Sequence, residues 1–401
     1  MNQKHILAKR LVLFGIGLAI LLKLYLAATT TGTLDVAGYT DHLEKIRAFG
    51  GVGAYHVRGA FNNPFNHPPF IIHLLKLLGF LSEVTGISFR FWLRLLPSLA
   101  DIGSLIVVWM MQATRPSWRL GQGGLLMLAL SPTSIIISGY HGNTDPIFIF
   151  FVLLAIYLLE ARQRTLLAGL AFGMALNIKA VPLMLLPAIL FYLWPSVKKE
   201  FEFIGAAALT FFLGSMPYIL QDPAVIGKVV FGYSSIYGRW GWSLLAALLF
   251  PEPPRFLHPP YDVVGIHAYF AFVGKWLMVS VIVAISFRMN RGDRKPALFY
   301  QVGLIIAIFL TFTPGFGSQY LVWLVPFVLG LGLQVAAIYY AITGIYLLLS
   351  YTCLGNEFFY CNVWVFFFAM LGTWGEVFAV LIGYWRWYAE FKHDPTQHAL
   401  G

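Results

Sequence analysis

Apolar residues fall in long blocks from one end of this chain to the other, at about 11–28, 68–82, 91–112, 121–138, 146–160, 165–194, 202–220, 263–287, 297–313, 320–333, 335–351 and 361–384. A helix needs ~20 apolar residues to cross the hydrocarbon of a bilayer, and most of these blocks approach that length. No polar interval between them is long enough for a soluble domain. The pattern predicts an all-α polytopic membrane protein, a helical bundle of roughly 11–13 spans. A single transmembrane domain is expected over 1–385, followed by a cytoplasmic tail at 386–401. Two hydrophilic intervals stand out, at about 29–67 and 221–262. Both are rich in Tyr, His, Gly, Pro and Trp, which suits the wall of an active site better than a flexible linker.

Composition agrees. Of 401 residues, 59% are hydrophobic and 11% charged, and the mean hydropathy is +0.75. Soluble domains carry about 25% charge, and a chain of this length could not hide so much apolar surface from water. A soluble enzyme, a disordered chain and a disulfide scaffold are excluded. The 12 Trp and 20 Tyr fit interfacial belts and aromatic-lined cavities. The net charge of +10 lies in short clusters between apolar blocks, which points to anionic lipid and not to nucleic acid. Lys4, Lys9 and Arg10 precede the first block with no small-residue cleavage site, so the N-terminus is expected to stay cytoplasmic.

Short cytoplasmic loops retain Lys and Arg. Placing Arg115/Arg119, Arg162/Arg164, Lys198/Lys199, Arg288/Arg291/Arg294/Lys295 and Arg386/Lys392 inside puts 29–67, 139–145, 221–262, 314–319 and 352–360 outside. This needs 165–194 to be two short spans meeting near Pro182. A parity conflict follows: if both 68–82 and 91–112 cross, Arg115 and Arg119 end up outside. The 68–82 block is short and carries His73 and Lys76, so a re-entrant or interfacial position is one way out.

The polar residues at the expected outer face carry the chemistry. Asp35 and Asp41 follow the first membrane exit, and a carboxylate partly desolvated at the interface can act as a base. The competing reading is a solvated acid or a helix start; Asp41 fits the first turn of a short helix at about 41–49. His67, before Pro68 and Pro69, reads as a structural residue at a helix start. His141, Asn143 and Asp145 lie within five residues between two apolar blocks; a helix cap explains one of them, not all three. Lys179 has more than ten mostly apolar residues on either side, beside the helix breaker Pro182. Such a lysine needs a carboxylate, a carbonyl or a ligand phosphate, so a donor-phosphate cation and a structural Lys–Asp pair are both open. Arg239 among Tyr237, Trp240 and Trp242 suits a phosphate, or a lipid headgroup. Gln319 and Tyr320 head a block with polar groups on the outer face. Cys353 and Cys361 flank the last outer loop and are a candidate structural disulfide, with two buried thiols as the alternative. No Walker A sequence, metal-ligand spacing or Gly-x-Ser-x-Gly elbow occurs, so neither a metal nor a cofactor is expected.

In order, these motifs resemble the GT-C superfamily of membrane glycosyltransferases that use polyprenyl-phosphate sugars. Asp35-x-x-x-Tyr39-Thr40-Asp41 is similar to the first-loop acidic motif of the glycosylphosphatidylinositol mannosyltransferase I family. Asn66-His67-Pro68-Pro69, Ser131-Pro132 leading to Gly139-x-His141-Gly142-Asn143-x-Asp145, Gly173 to Lys179-x-x-Pro182, and Gln319-Tyr320-Leu-x-Trp323-x-x-Pro326 resemble later segments. The family carries a paired acidic dipeptide where this chain has Leu34-Asp35. The resemblance implies a lipid-linked donor, a glycan or glycolipid acceptor, an extracytoplasmic site and an inverting transfer of a hexose, mannose first, with a first-loop Asp as base. Asp35, with Asp41 as the second candidate, takes that role. Lys179 and Arg239 are expected to hold the donor phosphate, and His141, Asn143, Asp145, Gln319 and Tyr320 to contact substrate. The expected location is a bacterial inner membrane. The rival reading is a transporter or lipid flippase with Lys179 and Asp145 as its substrate site; a third is a non-catalytic assembly subunit.

Overall fold

A computed structural model describes residues 3–57, 65–114, 121–232, 235–238, 240–250, 263, 265–292, 294–355 and 363–393. It is an almost entirely helical, polytopic membrane protein. The helices are α1 (Gln3–Thr29), α2 (Leu34–His56), α3 (Phe70–Thr85), α4 (Phe89–Thr114), α5 (Gly121–Ala129) and α6 (Pro132–Ile135), which continues into a π-helical turn at Ile136–His141. Then come α7 (Asp145–Glu160), α8 (Thr165–Ile178), α9 (Leu186–Leu193), α10 (Val197–Ile219), α11 (Pro223–Gly232) and α12 (Gly241–Leu249). The last four are α13 (Gly265–Asn290), α14 (Leu298–Phe312), α15 (Leu333–Gly355) and α16 (Val363–His393).

Seven of the described helical stretches are long and apolar enough to cross a membrane: Arg10–Thr29, α4, Gly121–His141, α10, α13, Leu333–Thr352 and Trp364–His393. Three more, α8, Val181–Leu193 and α14, are apolar but shorter. Against the expected 11–13 spans, seven helices among the described residues reach that length; the blocks at 68–82, 146–160 and 297–313 form single helices of only 15–16 residues, and 165–194 is cut by a break. That break lies near Pro182. Lys179 has extended backbone (φ −148°, ψ 150°), and a 3-10 turn at Val181–Leu185 leads into α9.

Both hydrophilic intervals contain more helix than expected. The first is occupied by α2, which starts at Leu34 under a Thr33 cap and bends at Gly50, whose φ of 76° suits glycine. Asp35 therefore lies in a helix first turn, and Asp41 lies inside the helix instead of opening one. The second interval holds α11 and α12. Between them, β1 (Ile236–Tyr237) pairs antiparallel with β2 (Gly315–Phe316). Trp240 stacks on Phe316 at 3.7 Å and donates its indole N–H to the Leu310 carbonyl at 2.6 Å. These contacts fix the second interval onto the segment that carries Gln319 and Tyr320.

The parity conflict resolves at α3. Arg94, near the start of α4, donates to the carbonyls of Leu26, Ala27 and Thr30 and to the Thr30 hydroxyl at 2.7–3.1 Å. The start of α4 thus sits where α1 leaves the bundle, and α3 returns the chain to the end it came from. Arg94 is 1% exposed, and its guanidinium meets the Ala27 and Thr30 carbonyls at the end of α1 and adds to the bond that the Leu26 carbonyl already accepts from the Thr30 N–H. Deeper along the same helices, Lys23 of α1 bonds Asp101 of α4 at 2.6 Å, and both reach Ser134 of α6, at 2.8 and 2.7 Å. On the far flank, α8 and α10 approach closely through Gly169-x-x-x-Gly173; a Cβ at Gly173 would stand 2.5 Å from the Ala207 carbonyl.

The Lys23–Asp101 pair gives a stability prediction. Asp101→Ala leaves a lysine 4% exposed with no counter-charge and should destabilise the protein by about 3–5 kcal/mol. The double change Lys23→Met, Asp101→Leu should recover most of that loss. Thermal unfolding of the purified protein in detergent checks both.

Candidate active site

Five segments meet where α1 leaves the bundle: the start of α2, the π turn ending at His141, the start of α7, the turn after α8, and Ser318–Tyr320 with Tyr351 beside it. Each arrives for a local reason. Thr33 caps α2, its hydroxyl accepting from the Asp35 N–H at 3.3 Å. Gly142 ends the π turn with φ 73°, releasing Asn143 and Thr144 from helix just before Pro146 starts α7. The broken helix at Lys179 turns its ammonium toward them.

Asp35 is held through one oxygen. Asn143 Nδ2 donates to Oδ2 at 2.6 Å, and His141 Nε2 stands 3.1 Å from the same atom. Nδ1 of His141 is engaged with the Thr33 hydroxyl at 2.7 Å, which leaves Nε2 to face the carboxylate. The imidazole also stacks on Tyr351 at 4.7 Å, whose hydroxyl lies 3.2 Å from Ser318 Oγ. Oδ1 of Asp35 has no hydrogen bond to a described residue, and 38% of the side chain is exposed. Burial works to raise the Asp35 carboxyl. The charge and contact of His141, the Asn143 bond and the Lys179 charge outweigh it, and bring the group from 3.8 to about 2.

Asp145, fully buried, forms the second half. Lys179 Nζ reaches both its oxygens at 2.8 and 2.7 Å, and the Trp323 indole N–H donates to Oδ1. The ammonium lies 5.2 Å from the Tyr320 ring centre and 5.9 Å from that of Trp323. The two halves meet at Thr144, which lies between Asn143 and Asp145 in the chain and whose Oγ1 is 3.3 Å from the Tyr39 hydroxyl. His67 stacks on Tyr39 at 5.1 Å, with His42 edge-on at 6.3 Å from His67. Burial, its chief cause, lowers both imidazoles, His42 to about 4, so this histidine pair is neutral at pH 7.

The structure therefore brings together Asp35, His141, Asn143, Asp145, Lys179 and Tyr320. Gln319 is half-buried at the rim, and its side chain makes no hydrogen bond to a described residue. Asp41 is elsewhere: it pairs with Lys45 at 3.0 Å, and six residues of helix rotate it about 240° from Asp35. Arg239, Cys361 and the side chain of Cys353 lie outside the described residues. Sequence reasoning passed over Thr33, Thr144 and Tyr351, and favoured a structural role for His67 while leaving contact with a ligand open. Thr33 was legible as a Thr at a helix start; Tyr351 carried no local signal. No group of three or more metal-ligating side chains occurs among the described residues.

This geometry defines a class: a polytopic membrane protein with one accessible carboxylate and one buried acid–lysine pair at the same end of its bundle. Residues 137–249 match the family model described as Mannosyltransferase (PIG-M), a stretch that contains His141, Asn143, Asp145 and Lys179. Over 217 residues the chain is 22% identical to GPI mannosyltransferase 1 of Candida albicans, covering 49% of this chain and 51% of that protein. The chain thus spans about half the length of the curated relative it matches. Both findings bear out the resemblance to glycosylphosphatidylinositol mannosyltransferase-like GT-C proteins.

The depressed Asp35 group contributes stability that is present above the ordinary carboxylate range and lost as pH falls from 3.8 toward about 2. Isotope-edited infrared spectra, taken as a difference against Asp35→Asn, should show it ionised at pH 3.5. His141→Gln should move its protonation to higher pH. A midpoint of 4 or above in the wild type contradicts the assignment.

Proposed function

We propose that this chain is an integral-membrane mannosyltransferase that takes its sugar from a polyprenyl-phosphate donor and passes it to a glycan or glycolipid hydroxyl. The site faces the extracytoplasmic side of, in the reading from sequence, a bacterial inner membrane, and Asp35 is the base. The observation that carries this reading is the half-bound carboxylate: Oδ2 is fixed by Asn143 beside His141, while Oδ1 has no hydrogen bond to a described residue on a side chain that is 38% exposed.

A carboxylate with so low a proton affinity is a poor base toward a resting hydroxyl. Glycosyl transfer does not ask for one. As the acceptor oxygen bonds to the anomeric carbon it gains positive charge, and its proton becomes strongly acidic. An ionised carboxylate that is always ready can then take that proton late in the reaction. The same negative charge steadies an oxocarbenium-like centre. His141 is a positioning residue here, holding Asp35 ionised and its second oxygen outward.

The donor is already activated, since its leaving group is a lipid phosphate. Lys179 supplies a cation beside that group. Nζ makes two hydrogen bonds to Asp145 and none to another described residue, and it is held above the buried Tyr320 and Trp323 rings. Arg239, outside the described residues, is assigned to the same phosphate on the sequence pattern alone, an arginine among Tyr237, Trp240 and Trp242. The mannosyltransferase matches favour this reading over a transporter or a non-catalytic subunit.

Membranes containing Asp35→Asn, assayed with radiolabelled polyprenyl-phosphate mannose and a panel of lipid acceptors, should turn over roughly 10²–10⁴-fold more slowly than wild type. Wild-type turnover in the folded variant would falsify the base assignment. Lys179→Met should weaken donor binding at moderate salt as well as low salt, because screening acts mainly on exposed charge. Unchanged donor affinity would leave Lys179 as the structural partner of Asp145 alone.

A further inference from the structure

The bundle carries a second concentration of charge, far from Asp35. Arg288 at the end of α13, Arg291 and Arg294 in the turn to α14, and Lys392 in the last turn of α16 surround a cavity of about 620 Å³, with Tyr388 and Phe391 in its wall. The helix α14 leads from this turn to the candidate site, about 22 Å along its 15 residues, so the cavity lies at the opposite end of the bundle. The Tyr388 hydroxyl donates to the Arg288 carbonyl at 3.2 Å and ties the two helix ends together.

All four cationic side chains are exposed, and none forms an ion pair with a described residue. No carboxylate is among the described lining residues; Asp293, in the same turn, lies outside them. Like charges gathered around one cavity repel, and an anion between them reverses that repulsion. Arginine forks match phosphate oxygens in pairs, which a diffuse layer of lysines does not. The cavity volume falls within the range of small-ligand sites. The second observation is apolar. Val283 and Phe287 on α13, and Ile382 and Trp385 on α16, lie within two turns of the cavity and are 38–52% exposed. An anionic head can sit among the arginines while acyl chains run along these two faces.

We propose that this end of the bundle is a binding site for the phosphodiester headgroup of an anionic phospholipid. The site is independent of the transfer chemistry and holds whether or not Asp35 is the base. It is more specific than the general attraction of basic loops to a negative membrane surface, because it requires cations from two helices around one volume.

The test uses the full-length protein in phosphatidylcholine nanodiscs with stepwise added phosphatidylglycerol, and counts retained phosphatidylglycerol by native mass spectrometry. Each basic residue near a membrane surface contributes a factor of about five, so Arg288→Gln/Arg291→Gln should weaken retention roughly 25-fold. Lys198→Gln/Lys199→Gln removes two charges at the same end but outside the cavity, and should leave retention of the bound lipid close to the wild-type value. Arg288→Lys/Arg291→Lys keeps charge but loses the forks, and should fall between the two. Equal losses in the two glutamine variants, or no loss in either, overturn the proposal in favour of diffuse surface charge. Displacement of the lipid by millimolar inorganic phosphate overturns it in favour of a free-phosphate site.

Discussion

The ion pair between Asp145 and Lys179 is the interaction on which the candidate site depends. An acid with no exposure can stay ionised in an apolar bundle only if a cation and further donors meet it, and here Lys179 and the Trp323 indole do so. To deliver them, α8 must stop at Ile178, a 3-10 turn must replace the next stretch of helix, and the Ser318–Leu324 turn must pack against the start of α7. Neither element gains much from local propensity. The pair joins three otherwise separate segments, and the Asn143 that fixes Asp35 stands only two residues before Asp145.

The same rule operates elsewhere in the membrane region. Lys23 is answered by Asp101 and Ser134, and the carbonyls at the end of α1 are answered by Arg94. Where α9 ends, Lys295 donates to the carbonyls of Phe191, Tyr192 and Trp194. Each of these three cations meets its partner from an element far apart in sequence, and each contact therefore fixes how those elements sit. The exception is Asp35. Its Oδ1 makes no hydrogen bond to a described residue, whereas both oxygens of Asp145 are met by Lys179 and the Trp323 indole. Polar geometry left open in this way is what a reacting hydroxyl requires.

The membrane class, the clustering of basic residues between apolar blocks and the conspicuous Lys179 were legible in the chain, because each is a property of one stretch of sequence against a lipid background. So was the likeness of the Asp35 and His141–Asp145 segments to glycosyltransferase motifs. Asp35 and Asp41 both remained candidates as acids past the first membrane exit, with Asp35 first. They separate only once α2 is known to start at Leu34, since helical rotation then sends six-apart residues to different faces. Thr33 as cap would have given that start.

Sequence alone determined which charges lie in apolar surroundings, since that depends on local composition and the free energy of moving a charge out of water. Only the tertiary structure decided their partners. Lys179 meets Asp145 across 34 residues and Trp323 meets Asp145 across 178. His141 meets Asp35 across 106 positions and stacks on Tyr351 across 210. A buried charge must be compensated, but no local rule selects which distant group does it. That choice belongs to the packing of the whole bundle, where helix breaks, close glycine contacts and the end-capping arginine together set which side chains come within reach.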